Sequence, residues 1–157
     1  MIATNPKLVG KSLALLLEGF GVAQPIPDIN ILDIVNSSRQ VAAGSLFVAL
    51  QGFAAHGIDF AIDAVKAGAV GVLYCVQDEY SQNKIDLRRT QIETQIETQI
   101  ETQWSGVDNL EQVNGEIVSR FFGEPSKAMT IIGVTGTDGK TSVTHLVTQA
   151  LMRLNKI

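Results

Sequence analysis

Residues 131–142 read Ile-Ile-Gly-Val-Thr-Gly-Thr-Asp-Gly-Lys-Thr-Ser, and this segment organises our interpretation of the whole chain. The apolar, partly β-branched run at its start predicts a buried strand. Glycines then indicate a turn, and apolar residues recur at helical spacing after Lys140, at positions 143, 146, 147, 150, 151 and 154. The segment therefore predicts a strand, a glycine-rich loop and a helix, which is the context of a phosphate-binding loop.

The residue types in this loop suit the phosphates of a nucleotide. Glycines let backbone N–H groups converge on phosphate oxygens, and a helix start adds free N–H groups and the positive end of its dipole. A lysine can reach the β- and γ-phosphates, and a threonine hydroxyl can bind Mg²⁺. We predict that ATP and Mg²⁺ bind here, with Thr141 as the metal ligand; the predicted ATP-binding residues are Gly136, Thr137, Asp138, Gly139, Lys140, Thr141 and Ser142.

The strict phosphate-loop pattern, Gly followed by four residues and then Gly-Lys-Ser/Thr, is not met. Its first glycine would fall on Val134, and the nearest glycine is Gly133. An ordinary glycine turn between a strand and a helix is therefore the alternative. The Gly-Lys-Thr sequence at a predicted helix start favours the phosphate-binding interpretation.

Composition limits the class of protein. The 157 residues have room for one domain, or for a small domain and part of another. With 45% hydrophobic and 18% charged residues the chain is globular, and its net charge of −4 argues against nucleic acid or an anionic membrane as the main partner. No apolar run approaches the length of a membrane span. The single Cys75 suits a reducing compartment, so we expect a cytoplasmic protein without membrane insertion, with Cys75 buried and inert.

Strands and helices are predicted to alternate, which indicates an α/β fold. A helix is expected from about residue 6 to 18, starting at Asn5-Pro6, and another from 59 to 67. Strands are expected near 29–34, 46–50 and 69–76. A further helix follows Asp108, and its apolar face is formed by Leu110, Val113, Ile117 and Phe121.

Residues 90–103 are three copies of Thr-Gln-Ile-Glu followed by Thr-Gln. The pattern fits a drifting helical stripe or an alternating strand, although like charges four residues apart weaken the helix. We interpret it as a tandem expansion in a mobile surface loop and assign it no function.

Two segments together resemble one family. Residues 36–52 read Asn-Ser-Ser-Arg-Gln-Val-Ala-Ala-Gly-Ser-Leu-Phe-Val-Ala-Leu-Gln-Gly. This is similar to the uridine-nucleotide-binding segment of Mur ligases, usually Asp-Ser-Arg and then Gly-Asp-Leu-Phe-Val-Ala. Residues 122–126, Phe-Gly-Glu-Pro-Ser, lead into the loop at 133–141 and resemble the approach to the ATP loop of the same family. The sequences of these two segments most resemble those of the family members that add the third residue of the peptide. The resemblance covers nearly the whole chain apart from the repeat.

The resemblance implies an N-terminal α/β domain at residues 1–104, including the repeat, that holds the UDP end of UDP-N-acetylmuramoyl-dipeptide. Residues 105–157 would begin a central ATPase domain with the first strand, phosphate loop and helix. In this family ATP phosphorylates the terminal carboxylate of the substrate, and an amino acid, here expected to be a diamino acid, attacks the acyl phosphate. By matching position, the contacts to the uridine nucleotide would come from Asn36, Ser38, Arg39, Phe53, Ala54 and Ala55.

Some positions depart from the family pattern. Ser37 and Ser45 stand where the family usually has Asp, His56 occupies a usually acidic position, and Asp138 stands where Asn is common. Arg39 could instead anchor its own turn through backbone carbonyls. His56 could be a solvated or turn-capping side chain.

Few residues follow the phosphate loop, so further ATPase strands and an acidic metal ligand have no positions in this sequence. We therefore expect a fragment of a ligase that is inactive alone. Two alternatives stay open: a non-catalytic module that binds a UDP-sugar, and the related ligase that adds the terminal dipeptide.

Overall fold

The computed structural model describes residues 10–23, 25–95 and 102–154. It divides into two compact units, Met1–Glu124 and Pro125–Ile157. The predicted start of the first helix at Asn5-Pro6 lies outside the described residues.

The first unit is built on a parallel sheet of four strands. These are β3 (Asp33–Val35), β4 (Ser45–Ala49), β5 (Gly71–Cys75) and β6 (Gln103–Val107), in that spatial order. A separate antiparallel pair joins β1 (Lys11–Ser12) to β2 (Asn30–Ile31). The α/β prediction is confirmed.

Four helices accompany the sheet in the described part of the first unit. They are α1 (Leu13–Leu17), α2 (Ala61–Lys66), α3 (Glu79–Gln95) and α4 (Leu110–Phe121). Two 3₁₀ turns, Ser38–Gln40 and Gly57–Phe60, follow the ends of β3 and β4. The second unit contains a 3₁₀ turn, Pro125–Ala128, and α5 (Lys140–Arg153).

Alternation along β4 buries both faces of the sheet. Leu46 and Val48 pack with α1 and α4, whereas Phe47 and Ala49 pack with α2 and α3. All four side chains are essentially inaccessible to solvent. A parallel sheet covered on both faces leaves only its strand ends and their loops open to ligands.

The predicted domain boundary between residues 104 and 105 differs from the observed one. It would cut through β6, whose Trp104 and Gly106 are paired with β5. Beyond it, α4 contributes the buried Ile117 and Phe121 to the same core as α1. Burial of this apolar face fixes α4 in the first unit, which ends at Glu124.

Two local predictions are corrected at the start of the chain and in the repeat. The described part of the first helix begins at Leu13, because Lys11 and Ser12 pair with β2; Ser12 Oγ then accepts from the Leu15 N–H at 3.4 Å. Positions 90–95 of the repeat belong to α3 and Gln103 opens β6, so the loop prediction is wrong there. Residues 96–101 lie outside the described residues.

A capped start explains the helix through the repeat. The Asp78 carboxylate accepts from the N–H groups of Tyr80 and Ser81, at 3.2 and 2.9 Å, and Ile85 is buried. Once a first turn is formed, each further residue is added at little cost.

The strand predicted over Ile131 to Val134 is absent from the second unit. Ile131 and Ile132 are 71% and 56% exposed, and no strand lies within the described residues 125–154 to pair with this run. A strand needs a neighbour for its backbone hydrogen bonds. The helix predicted after the loop is confirmed as α5, and its Val143 and Leu146 are exposed. Among the described helices, none is long and apolar enough to cross a membrane.

Candidate functional site

The four parallel strands end at one edge of the sheet. Segments that begin at residues 36, 50, 76 and 108 leave this edge after β3, β4, β5 and β6 in turn. Ligands of open α/β sheets bind at the carboxyl ends of the strands. The predicted uridine-binding residues come from the first two of these segments, so the topology brings them to one edge.

The first segment is a turn stabilised from within. Asn36 and Arg39 are exposed, and Ser38 opens the 3₁₀ turn. The turn is closed by Gln40 N–H to Ser37 O at 3.0 Å and by Ala42 N–H to Ser45 Oγ at 3.0 Å. The backbone and the Ser45 hydroxyl thus hold the turn, which leaves the Arg39 guanidinium at the surface.

A small cavity lies beside this turn. It measures about 200 Å³ and is bounded by the ends of β3 and by α4; its polar lining residues are Asn36, Gln40 and Asn114. The cavity extends the polar surface at the end of β3.

The second segment is a tight loop of residues 51–56, here named the β4 loop. Its base is closed by Gly57 N–H to Leu50 O at 2.8 Å and by Gly52 N–H to Ala55 O at 3.1 Å. At its tip Phe53 is fully exposed. A cavity of about 470 Å³ lies between this loop and the start of α3. An exposed aromatic ring on a closed loop is suited to stack on a planar ligand.

His56 at the base of the β4 loop uses both ring nitrogens. Nδ1 accepts from the Ile58 N–H at 3.1 Å, and Nε2 lies 2.9 Å from Asp78 Oδ2. Because Nδ1 accepts, the ring proton is assigned to Nε2, which donates to Asp78. The turn-capping interpretation is therefore confirmed, with a second contact that links two strand ends.

The Asp78 carboxylate is held in its ionised form. Partial burial raises its pKa, but hydrogen bonds from Ser81 and Tyr80 and the attraction of His56 outweigh burial, and the pKa lies below the usual value. Asp78 thereby accepts from His56 and caps α3 at the same time.

Tyr80 packs on the other side of His56, with ring centroids 5.2 Å apart. Its hydroxyl donates to both carboxylate oxygens of Asp59, at 3.1 and 2.9 Å. Lys84 Nζ lies 3.8 Å from Asp59 and 5.1 Å from the Tyr80 ring. The β4 loop therefore rests on a connected polar cluster.

Gln77 joins the ends of the other two strands. Its Nε2 donates to Asp108 Oδ1 at 3.0 Å, and its Oε1 accepts from the Asn109 N–H at 2.9 Å. The Cys75 thiol donates to the same oxygen at 3.4 Å and is only partly buried, in contrast to the predicted full burial.

The phosphate-loop residues lie in the second unit. Gly139 caps α5 with φ of +76°, a conformation that favours glycine. Lys140 Nζ donates to the carbonyls of Gly136 and Thr137, at 2.6 and 3.1 Å, so its ammonium lies over the loop. Thr141 and Ser142 stand exposed in the first turn of α5, where backbone N–H groups have no helical partner.

This arrangement fits a phosphate group, since a cation, hydroxyls and a helix start are collected on one short segment. Asp138 lies exposed beside them. Within residues 10–23, 25–95 and 102–154, no three His, Cys, Asp or Glu side chains form a metal-binding group. The Thr141 hydroxyl as the Mg²⁺ ligand stays a prediction.

The contact between His56 and Asp78 was not predicted. The two residues are far apart in sequence, and only the parallel pairing of β4 and β5 brings them together.

The fold defines an α/β protein with a candidate ligand site at the carboxyl edge of its parallel sheet, and comparison with known proteins identifies the family. Residues 31–121 match the family model described as "Mur ligase family, catalytic domain". The chain belongs to the Mur ligase family.

Its curated relatives include UDP-N-acetylmuramoyl-L-alanyl-D-glutamate–2,6-diaminopimelate ligases. The protein of Xylella fastidiosa strain Temecula1 is 37% identical over 139 residues, which cover 85% of this chain and 25% of that protein. The protein of Pseudomonas putida is 37% identical over 121 residues, which cover 77% of this chain and 21% of that protein. The chain thus spans about a quarter of the length of these relatives.

Solved structures share the fold at low identity. A UDP-N-acetylmuramoylalanyl-D-glutamyl-2,6-diaminopimelate–D-alanyl-D-alanyl ligase from Acinetobacter baumannii matches with a TM-score of 0.55 and 19% identity. The match covers 96% of this chain and 30% of that one. A MurF structure from the same organism matches with a TM-score of 0.56. At this identity the likeness concerns the fold alone.

Proposed function

We propose that this chain supplies the substrate-binding unit and the phosphate loop of an ATP-dependent ligase of peptidoglycan synthesis. Its reaction would add the third amino acid, a diamino acid, to UDP-N-acetylmuramoyl-L-Ala-D-Glu. The observation that carries the proposal is the 37% identity, over 85% of this chain, to a ligase named for 2,6-diaminopimelate. We place this ligase in the cytoplasm, which suits a chain with a single cysteine.

The first unit would hold the UDP end of the substrate at the carboxyl edge of the sheet. The hydroxyl of Ser38 and the exposed guanidinium of Arg39 suit the diphosphate, and Asn36 offers an amide beside the small cavity. The ring of Phe53 would stack on the base, flanked by Ala54 and Ala55, whose small side chains let the ligand approach the backbone.

The second unit would hold ATP. Gly136, Thr137, Asp138, Gly139 and Ser142 frame the loop through their backbone and hydroxyl groups. Lys140 would neutralise the terminal phosphates, and Thr141 would ligate Mg²⁺. When bound, ATP supplies the phosphoryl group that activates the substrate carboxylate as an acyl phosphate. The contribution of this chain is then to bind and orient, which lowers the barrier by aligning the reactants.

Two other functions are less well supported. The ligase that adds the terminal dipeptide shares the fold, but at 19% identity. A non-catalytic module that binds a UDP-sugar would use the first unit without the phosphate loop. Lys140 held over a glycine-capped helix start favours a nucleotide-phosphate role for the second unit instead.

Calorimetric titration of this chain tests the proposal. UDP-N-acetylmuramoyl-L-Ala-D-Glu should bind to the wild-type chain, and Phe53→Ala should weaken this binding about tenfold or more, the scale of losing one base stack. Leu15→Ala, which removes an exposed apolar side chain on α1, is the matched control and should bind like the wild type. Absence of binding to the wild-type chain would refute the proposed substrate.

Binding of ATP is measured in a separate titration. Lys140→Ala should reduce binding of Mg·ATP, because a charge-assisted contact to phosphate is lost, whereas Arg153→Ala in the last turn of α5 should not. We expect no phosphate release by this chain with ATP, the UDP substrate and diamino acids. Binding of the UDP ligand without any binding of ATP would favour the non-catalytic module.

A further inference from the structure

Few contacts stabilise the tip of the β4 loop. Phe53, Ala54 and Ala55 are all exposed, so no apolar burial anchors them. Two backbone hydrogen bonds close the base, from Gly57 to Leu50 and from Gly52 to Ala55. Loops of this kind sample many conformations unless side chains restrict them. The loop therefore depends on the side chain at its base.

His56 is that side chain, and it ties the loop in two directions. Only 11% of the side chain is exposed. Nδ1 holds the Ile58 N–H and so fixes the chain where it leaves the loop, while Nε2 reaches Asp78 at the end of the neighbouring strand. A link between two strand ends restrains the loop more than a cap within its own turn does.

The far end of the link is itself fixed. Asp78 accepts from two N–H groups of α3, and this helix is anchored to the sheet by the buried Ile85. The ring of Tyr80 packs against the ring of His56, and its hydroxyl is held by Asp59. His56 is thus bound to a rigid support rather than to another mobile side chain.

We propose that His56 is a positioning residue that holds the β4 loop ready for the uridine base by linking it to Asp78. The inference rests on the proposed function for the role of the loop. The Nε2–H group of His56 donates to the Asp78 carboxylate, so the loop base and the start of α3 are joined by a hydrogen bond to a charged acceptor.

Three substitutions separate the two contacts. His56→Asn keeps an acceptor near Nδ1 for Ile58 but does not reach Asp78. His56→Gln places an amide N–H near Nε2 for Asp78 and gives up the Nδ1 geometry. His56→Ala removes both contacts. Arg120→Ala is the matched control, since Arg120 stabilises α1 and α4 through the Leu16 and Glu18 carbonyls, away from the loop.

Hydrogen exchange of the whole chain measures the positioning without any ligand. The amides of Gly52 and Gly57 should exchange about tenfold faster in His56→Ala and at intermediate rates in the other two variants, while Arg120→Ala leaves them unchanged. Unchanged exchange in His56→Ala would overturn the inference.

Titration with UDP measures the consequence. We expect His56→Ala to bind UDP about tenfold more weakly, since a loop that is only partly in its binding conformation lowers the apparent affinity by that fraction. Arg120→Ala should lower the thermal midpoint but keep the wild-type affinity for UDP. Faster exchange with unchanged UDP affinity would overturn the inference. Failure of the wild-type chain to bind UDP would instead refute the proposed function, and the exchange rates would still decide whether His56 holds the loop.

Discussion

We expect that no larger residue can replace Gly57 without loss of stability. The reason is the lack of space for a side chain, since the backbone angles of Gly57 do not themselves require glycine. A Cβ placed on it would lie 2.7 Å from Leu50 O, 2.8 Å from Leu50 N and 2.9 Å from the carbonyl carbon of Ala49. All three are backbone atoms of the end of β4, which cannot rotate away. Gly57→Ala must therefore displace the 3₁₀ turn and stretch the hydrogen bond from Gly57 N–H to Leu50 O, now 2.8 Å.

The magnitude follows from those two effects. Overpacking against a fixed backbone costs about 1–3 kcal/mol, and losing the hydrogen bond adds about 0.5–1.5 kcal/mol. We expect Gly57→Ala to lower the free energy of unfolding by about 2–4 kcal/mol. Gly115 is the matched control, because it lies within α4 and, apart from the backbone of its own helix and its chain neighbours, no atom lies within 4 Å of an added Cβ. Gly115→Ala should raise the stability by about 0.5–1 kcal/mol.

Urea unfolding followed by circular dichroism compares the two variants with the wild type. The two substitutions should shift the midpoint in opposite directions. If Gly57→Ala were as stable as Gly115→Ala, the close packing of the β4 loop base against the strand end would be refuted.

Two further predictions concern the core and the response to acid. Ile117→Ala should lower the free energy of unfolding by about 2–5 kcal/mol in the same urea assay, because Ile117 is fully buried; a loss no larger than that of Leu146→Ala, at an exposed position of α5, would contradict the placement of α4. The lowered pKa of Asp78 means that its stabilising effect is complete above its pKa in the unfolded chain and is lost as pH falls through its pKa in the folded chain. Asp78→Asn should therefore be less stable at neutral pH and should show a shallower loss of stability below about pH 4; parallel acid curves for the two proteins would exclude this role.

Local patterns predicted the elements whose residues decide their own state. The apolar face of α4 and the continuous apolar run of β4 could be read directly, and α5 follows from helical spacing behind a glycine. The prediction of a strand at Ile131 was wrong, because a strand needs a neighbouring strand for its backbone hydrogen bonds and a local pattern does not show whether one is present. The helix through the first part of the repeat was missed because its stability comes from the cap at Asp78 and burial of Ile85.

The residues of the candidate site also fall into some that were predicted from the sequence and some that were not. Asn36, Ser38 and Phe53 were predicted from the resemblance to Mur ligases by matching position, and the topology brings the segments that carry them to one edge of the sheet. The pair of His56 and Asp78 could not, since nothing local to either residue encodes the pairing of β4 with β5.

The two possible domain boundaries give a final, direct comparison. A chain ending at Glu124 keeps the four-stranded sheet, both apolar layers and the β4 loop, and its last helix is closed by Gly123 N–H to Arg120 O and Glu124 N–H to Ser119 O. A chain ending at residue 104 loses most of β6 and all of α4, which removes Val107, Leu110, Ile117 and Phe121 from the core around α1.

Both truncated chains can be compared by thermal unfolding and by titration with UDP. We expect residues 1–124 to unfold cooperatively and to keep the UDP affinity of the full chain, without binding Mg·ATP. Residues 1–104 should show no cooperative transition, because burial of those four side chains accounts for about 6–12 kcal/mol, comparable to the whole stability of a small domain. A cooperative transition for residues 1–104 would mean that the sheet is stable without α4, and the core described for the first unit would then be incorrect.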